Sequence, residues 1–124
     1  MTLKEYVNQE GKNSRGGYER TPLIIAAYEE HFQIVKYLIE QCEADPNIAH
    51  SRYGFNALHL AAGYNKKDTE LIELLLTNMS LNSINKKHGV GTPLDKAYEY
   101  NKSPIKQKII DLIRSKGGKR ASDL

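Results

Sequence analysis

The sequence is short of nearly everything that catalysis, secretion or membrane insertion demands. A single cysteine, Cys42, in 124 residues excludes an intramolecular disulfide and any multi-cysteine metal site. It points to a reducing interior, and a cytoplasmic location is expected. No apolar run approaches the roughly 18 residues needed to cross a bilayer; stretches such as Leu74-Leu75-Leu76 are quickly interrupted. Met1 to Tyr6 carries Glu5 early and has no apolar stretch of the secretory kind, so no secretory signal is expected. Catalytic signatures are missing too: there is no H-E-x-x-H, no G-x-G-x-x-G behind a strand, no Walker lysine and no nucleophile elbow.

What remains is the composition of an ordinary globular domain, 40% hydrophobic and 27% charged. The length suits one domain with a single modest core. The net charge of +3 is unevenly placed. Residues 101–124 hold five lysines and two arginines against Asp111 and Asp123, so this segment carries +5 and the rest −2. A basic end of this kind reads first as a solvated terminus. Contact with nucleic acid or an anionic membrane is the alternative.

Internal repetition is the strongest positive signal. Thr21-Pro22-Leu23-Ile24-Ile25-Ala26-Ala27 aligns with Asn56-Ala57-Leu58-His59-Leu60-Ala61-Ala62, 35 residues later, and with Thr92-Pro93-Leu94-Asp95-Lys96-Ala97-Tyr98, another 36 on. Each is followed by a second apolar block in the same order: Ile34-Val35 with Leu38-Ile39, Leu71-Ile72 with Leu75-Leu76, Ile109-Ile110 with Ile113-Arg114. Both blocks read as helices. Thr21 and Thr92 are good N-caps followed by proline at the first helical position, where a missing N–H costs nothing. Ser103-Pro104 repeats the device before the last outer helix, and Asp68 suits the start of the middle one. Apolar residues at i, i+1, i+4 and i+5 give each helix one wide stripe. None is long enough to persist alone in water, so packing must hold them.

These blocks resemble the ankyrin repeat family: T-P-L-H-x-A-A is nearly complete in the first two copies, and Glu43-Ala44-Asp45-Pro46-Asn47 echoes the repeat ending G-A-D-x-N without its glycine. The resemblance implies an all-α fold of helix–turn–helix repeats with β-hairpin-like finger loops, stacked into a short curved solenoid. Repeats are expected at about 19–50, 51–86 and 87–118, forming one domain at 19–118. Residues 1–18 are expected as an N-terminal cap or leader, with Val7-Asn8 echoing a repeat end, and 119–124 as a polar tail lying past the last helix. Spacings above the family's usual length of about 33 residues place insertions near Cys42, at 65–68 and at 78–81. Ala97-Tyr98 and Arg114 depart from the internal pattern as a terminal capping repeat requires, and Gly117-Gly118 is expected to stop the last helix.

No chemistry rises above this architecture. His88-Gly89-Val90-Gly91-Thr92-Pro93 has the look of a phosphate-cradling turn, but without a lysine or preceding strand it reads as a plain turn. Cys42 falls at the end of an outer helix with no histidine expected nearby. His31, His50, His59 and His88 are spread over different repeats, so no metal site, no cofactor and no enzyme activity are expected.

The family resemblance implies instead that a protein partner meets the finger tips and the exposed side of the inner helices. Mapped onto this chain, those positions hold Tyr18, Arg20, Tyr28 and Glu29 in the first copy. The second gives Arg52, Tyr53, Phe55 and Tyr64, and the third His88, Glu99 and Tyr100. With the intervening glycines they make 15 positions that collect six of the ten aromatic residues. Tyrosine and arginine gathered on one face are the usual composition of a binding hot spot. The expected function is that of an adaptor or inhibitor, acting as a monomer, with partner identity open. The mixed charges Arg20, Arg52, Glu29 and Glu99 select neither an acidic nor a basic partner. A regulatory piece of a larger ankyrin-containing protein is a further alternative.

Overall fold

The computed structural model describes residues 1–11, 20–89 and 91–124. Among these residues all regular structure is helical: α1 (Leu3–Val7), α2 (Pro22–Tyr28), α3 (Phe32–Cys42), α4 (Ala57–Tyr64), α5 (Glu70–Asn78), α6 (Leu81–Ile84), α7 (Pro93–Tyr100) and α8 (Lys106–Ser115), with a 3-10 turn at Ala121–Asp123. The helices form two layers. In the inner layer α2 packs on α4 and α4 on α7; in the outer layer α1 packs on α3, α3 on α5 and α5 on α8. Each inner helix also packs on the outer helix that follows it.

Local chemistry starts the inner helices where the sequence predicts. Thr21 Oγ1 accepts from the Ile24 N–H at 3.3 Å. At Thr92 and Asn56 the cap is reciprocal: Asp95 accepts from the Thr92 N–H at 3.0 Å, and His59 Nδ1 from the Asn56 N–H at 3.0 Å. The aspartate and the histidine three residues into their helices therefore do the same job. Asp68 accepts from the Glu70 N–H at 3.0 Å at the start of α5. Ser103 does not cap α8, because its hydroxyl donates to Asn101 Oδ1 at 2.6 Å; the helix begins later, at Lys106.

Between layers lies one continuous core. Leu58, Leu75, Ile72, Ile109 and Ile113 are fully buried, and Ala27, Ala61, Ala62 and Ala97 bring the inner helices together. Tyr37 and Tyr6 are exposed. The third pair is closed by Tyr98, half-buried, with the Arg114 and Arg120 guanidinium groups 5.6 and 4.6 Å from its ring centre.

Two sets of asparagines stitch successive repeats together. Asn8 accepts from the Asp45 N–H at 2.7 Å, Asn47 from the Ser80 N–H at 2.8 Å, and Asn85 from the Lys119 N–H at 2.7 Å. At the turns between inner and outer helices, buried Asn65 donates to the Ala27 carbonyl at 3.0 Å, and Asn101 to those of Ala62 and Asn65 at 2.9 Å each. Helix α1 with Asn8 thus stands in the place of an outer helix and its repeat end.

The 119–124 segment, expected as a polar tail past the last helix, makes contacts with α7 that the sequence did not show. Thr92 Oγ1 donates to the Lys119 carbonyl at 2.6 Å, the Ala121 N–H donates to Asp95 at 2.9 Å, and Arg120 pairs with the same carboxylate. Gly117, at φ +89°, turns the chain back toward α7 in a conformation that L side chains rarely adopt. Helix α6 is a second feature absent from the sequence reading. It is capped by Ser80, anchored by buried Ile84, and joined to α4 by a 2.8 Å bond from Asn56 Nδ2 to the Ser83 carbonyl.

Candidate protein-binding surface

Tyr28, Tyr64 and Tyr100 are the last residues of the three inner helices, and the common pitch of the repeats brings them side by side. The rings of Tyr28 and Tyr64 meet edge-to-face with centres 5.3 Å apart; those of Tyr64 and Tyr100 lie 6.2 Å apart. All three stay between 42% and 49% exposed, so each offers ring surface to solvent while leaning on its neighbour. Edge-to-face pairs at this distance are attractive and hold the rings in place.

The central finger stands beside this row. Its turn is closed by the His50 N–H to the Phe55 carbonyl at 2.6 Å and the Gly54 N–H to the His50 carbonyl at 2.8 Å. The next finger has one antiparallel bridge, His88 to Gly91. Tyr53 is exposed at the tip, with the Arg52 guanidinium 5.4 Å from its ring centre. Phe55, expected as a solvent-facing contact, is instead buried. It stacks on His50 at 4.8 Å and meets the His88 ring edge-on at 5.3 Å. An apolar ring at the base of a finger gains more from this packing than from water. His88 is likewise tied down, its Nδ1 2.7 Å from the Tyr53 carbonyl.

Arg20 connects the two groups, its guanidinium 5.1 Å from the centre of Tyr28 and 5.4 Å from that of Phe55. Cation–π contacts of this kind fix an arginine without consuming all its donors. Glu29 lies 3.1 Å from His31, and Glu99 3.8 Å from Arg120. Tyr18 lies outside the described residues. The structure thus brings together Arg20, Tyr28, Tyr64 and Tyr100 as a row, and Arg52, Tyr53 and His88 around the central finger.

One residue that shapes this surface escapes the sequence reading. Buried His50 stacks on Tyr53 at 5.1 Å, and its Nδ1 accepts from the Arg52 and Tyr53 N–H groups at 3.2 Å each. Its Nε2 faces Glu10 at 3.4 Å, and Glu10 also accepts from the Ser51 N–H at 3.1 Å. A histidine directly ahead of a finger turn was the available signal.

Among the described residues no group of three or more histidine, cysteine, aspartate or glutamate side chains converges to hold a metal ion. No helix among them is long and apolar enough to cross a membrane. Burial pushes the pKa of His59 down to about 4, but this ring closes the α4 capping box beneath the fingers. Cys42 is buried.

A comparison with curated proteins finds no match. The family model described as ankyrin repeats (3 copies) matches residues 2–88, well over half of the chain. That match begins within the segment read as a cap, where α1 and Asn8 already make repeat-like contacts, and ends ahead of α7 and α8. Ankyrin repeats are generally protein-interaction modules. The two-layered stack, the reciprocal caps and this match agree, and the chain belongs to the ankyrin repeat family.

Proposed function

We propose that this protein is a non-enzymatic interaction module that binds a partner protein through its concave face and central finger, as an adaptor or inhibitor, acting as a cytoplasmic monomer. The observation that carries this reading is the row of Tyr28, Tyr64 and Tyr100, half exposed and held ring against ring across three repeats. Rigid, amphipathic side chains that are already ordered lose little entropy on binding, so they make efficient anchors at about 2 kcal/mol or more apiece. The alternative through the basic C-terminal segment is weakened by the placement of Arg120, which serves Asp95 and Tyr98.

The test is an affinity capture from native cells followed by quantitative mass spectrometry. Replacing Tyr53 and Tyr64 by alanine, singly, should lower retention of the captured partner at least tenfold with the helical spectrum kept. The melting midpoint should be nearly unchanged for Tyr53→Ala and lowered by a few degrees for Tyr64→Ala, which loses two ring contacts. Changes at Lys36 and Lys108, on outer helices, should do neither. Retention by the double tyrosine variant, with release on Lys116→Glu and Lys119→Glu, would transfer binding to the basic segment.

A further inference from the structure

The charges that border the tyrosine row are unequally available. Among the described residues each acid there already has a partner. Glu29 lies against His31, the Glu30 carboxylate accepts from the Lys66 and Lys67 N–H groups at 2.8 and 2.6 Å, Asp68 accepts from Glu70, and Glu99 faces Arg120. The cations are not so engaged. Lys66 and Lys102 are exposed, and their ammonium groups form no ion pair among the described residues. Lys96 Nζ sits 5.1 Å from the centre of Tyr100 without a carboxylate partner there. Lys66 follows Tyr64 by two residues and Lys102 follows Tyr100 by two, so both occupy one place in successive repeats. Together with the two rings and Asn101 they line a shallow recess of about 260 Å³.

We propose that this row receives an extended acidic segment of the partner protein, its carboxylates meeting Lys66, Lys102 and Lys96 while its apolar side chains lie on Tyr64 and Tyr100. The inference rests on the concave-face reading above. In this arrangement the tyrosines supply most of the affinity. Solvent-exposed lysine–carboxylate pairs add little apiece, and set selectivity and association rate instead. Single-stranded nucleic acid also favours aromatic rings beside cations, but it stacks on ring faces. Here Tyr28 and Tyr64 meet at 70° and Tyr64 and Tyr100 at 31°, so the row presents no continuous flat platform.

The experiment is a selection of random linear peptides, long enough to span the row and displayed on phage, against the full chain. Synthetic copies of the winners are then measured by fluorescence anisotropy. The expected winners are rich in aspartate and glutamate and interspersed with apolar residues. Their binding should weaken at least tenfold with Lys66→Glu plus Lys102→Glu, at least tenfold with Tyr64→Ala, and progressively as salt rises. Winners poor in acids that still require Tyr64 would overturn the acidic-segment inference and leave the concave-face reading standing. Binding indifferent to Tyr64 would sink both. A selection without winners, or a labelled oligo-uridine that binds more tightly than any of them, would also overturn the inference.

Discussion

Arg120 Nε lies 2.7 Å from Asp95 Oδ1, and this pair fastens the end of the chain to the first turn of α7. Burial pushes the Asp95 carboxyl up, but the Arg120 guanidinium and the N–H groups of Thr92 and Ala121 outweigh it and hold the pKa below its ordinary value of 3.8. A carboxyl with a depressed folded pKa contributes stability that is present above the unfolded value and lost as pH falls through the folded one. Ending the chain after Gly118 removes this fastening. The bonds of Lys119 and Ala121 alone number three. At roughly 1 kcal/mol each their loss should destabilise the fold by about 3 kcal/mol. A thermal melt followed by circular dichroism measures it, and an unchanged midpoint would show that the docked end contributes nothing.

Leu58 sits at the centre of the stack with no exposed surface. Leu58→Ala should cost about 2–5 kcal/mol, the range for a buried leucine truncated in place. Against a total of about 5–10 kcal/mol, urea unfolding should begin at much lower denaturant. A midpoint within error of the parent would contradict the central position of this side chain.

His59 makes the protein acid-sensitive. Its pKa falls from 6.5 to about 4 chiefly through burial, so between those values the unfolded chain takes up a proton that the folded one refuses. Stability is therefore full above pH 6.5 and declines as pH drops toward 4, by about 3 kcal/mol from this group. His59→Gln retains an acceptor for the Asn56 N–H and does not titrate. Its stability should vary less over that interval, and an identical pH profile for the two proteins would remove His59 as the cause.

Asn101 is fully satisfied, donating to the carbonyls of Ala62 and Asn65 and accepting from Ser103 through both its N–H and its hydroxyl. Asn101→Ala takes the amide donor from the Ala62 and Asn65 carbonyls. The Ser103 hydroxyl, 3.4 Å from the Asn65 carbonyl, still serves the second, so the cost is that of one orphaned group, about 1–3 kcal/mol. The loss should appear in hydrogen exchange as faster opening of the seam between α4 and α7, ahead of the rest of the stack.

The stack was legible in the sequence because its causes recur. Capped helix openings, an inner-helix alanine and apolar stripes return every 35 or 36 residues, and that register alone lined up Tyr28, Tyr64 and Tyr100. Features made once were hidden. The partners of Asp95 lie 25 and 26 residues ahead of it, with no periodic cue. Helix α6 fills the stretch Leu81–Ile84, beside the expected insertion at 78–81 and without a repeat motif of its own. The burial of Phe55 depends on how one finger turns over His50, a matter of local geometry and not of spacing. Asn65 and Asn101 were readable in principle, since each directly follows a tyrosine of the row.

The tyrosine row has an optical consequence. The chain contains no tryptophan, so its near-ultraviolet emission comes from tyrosine. Three of the eight tyrosines are coupled ring to ring across both seams. Any change in the curvature of the solenoid alters the separation of those rings before it alters helix content. Near-ultraviolet circular dichroism, to which coupled rings contribute, is therefore where bending should register, in a way that a far-ultraviolet spectrum would miss.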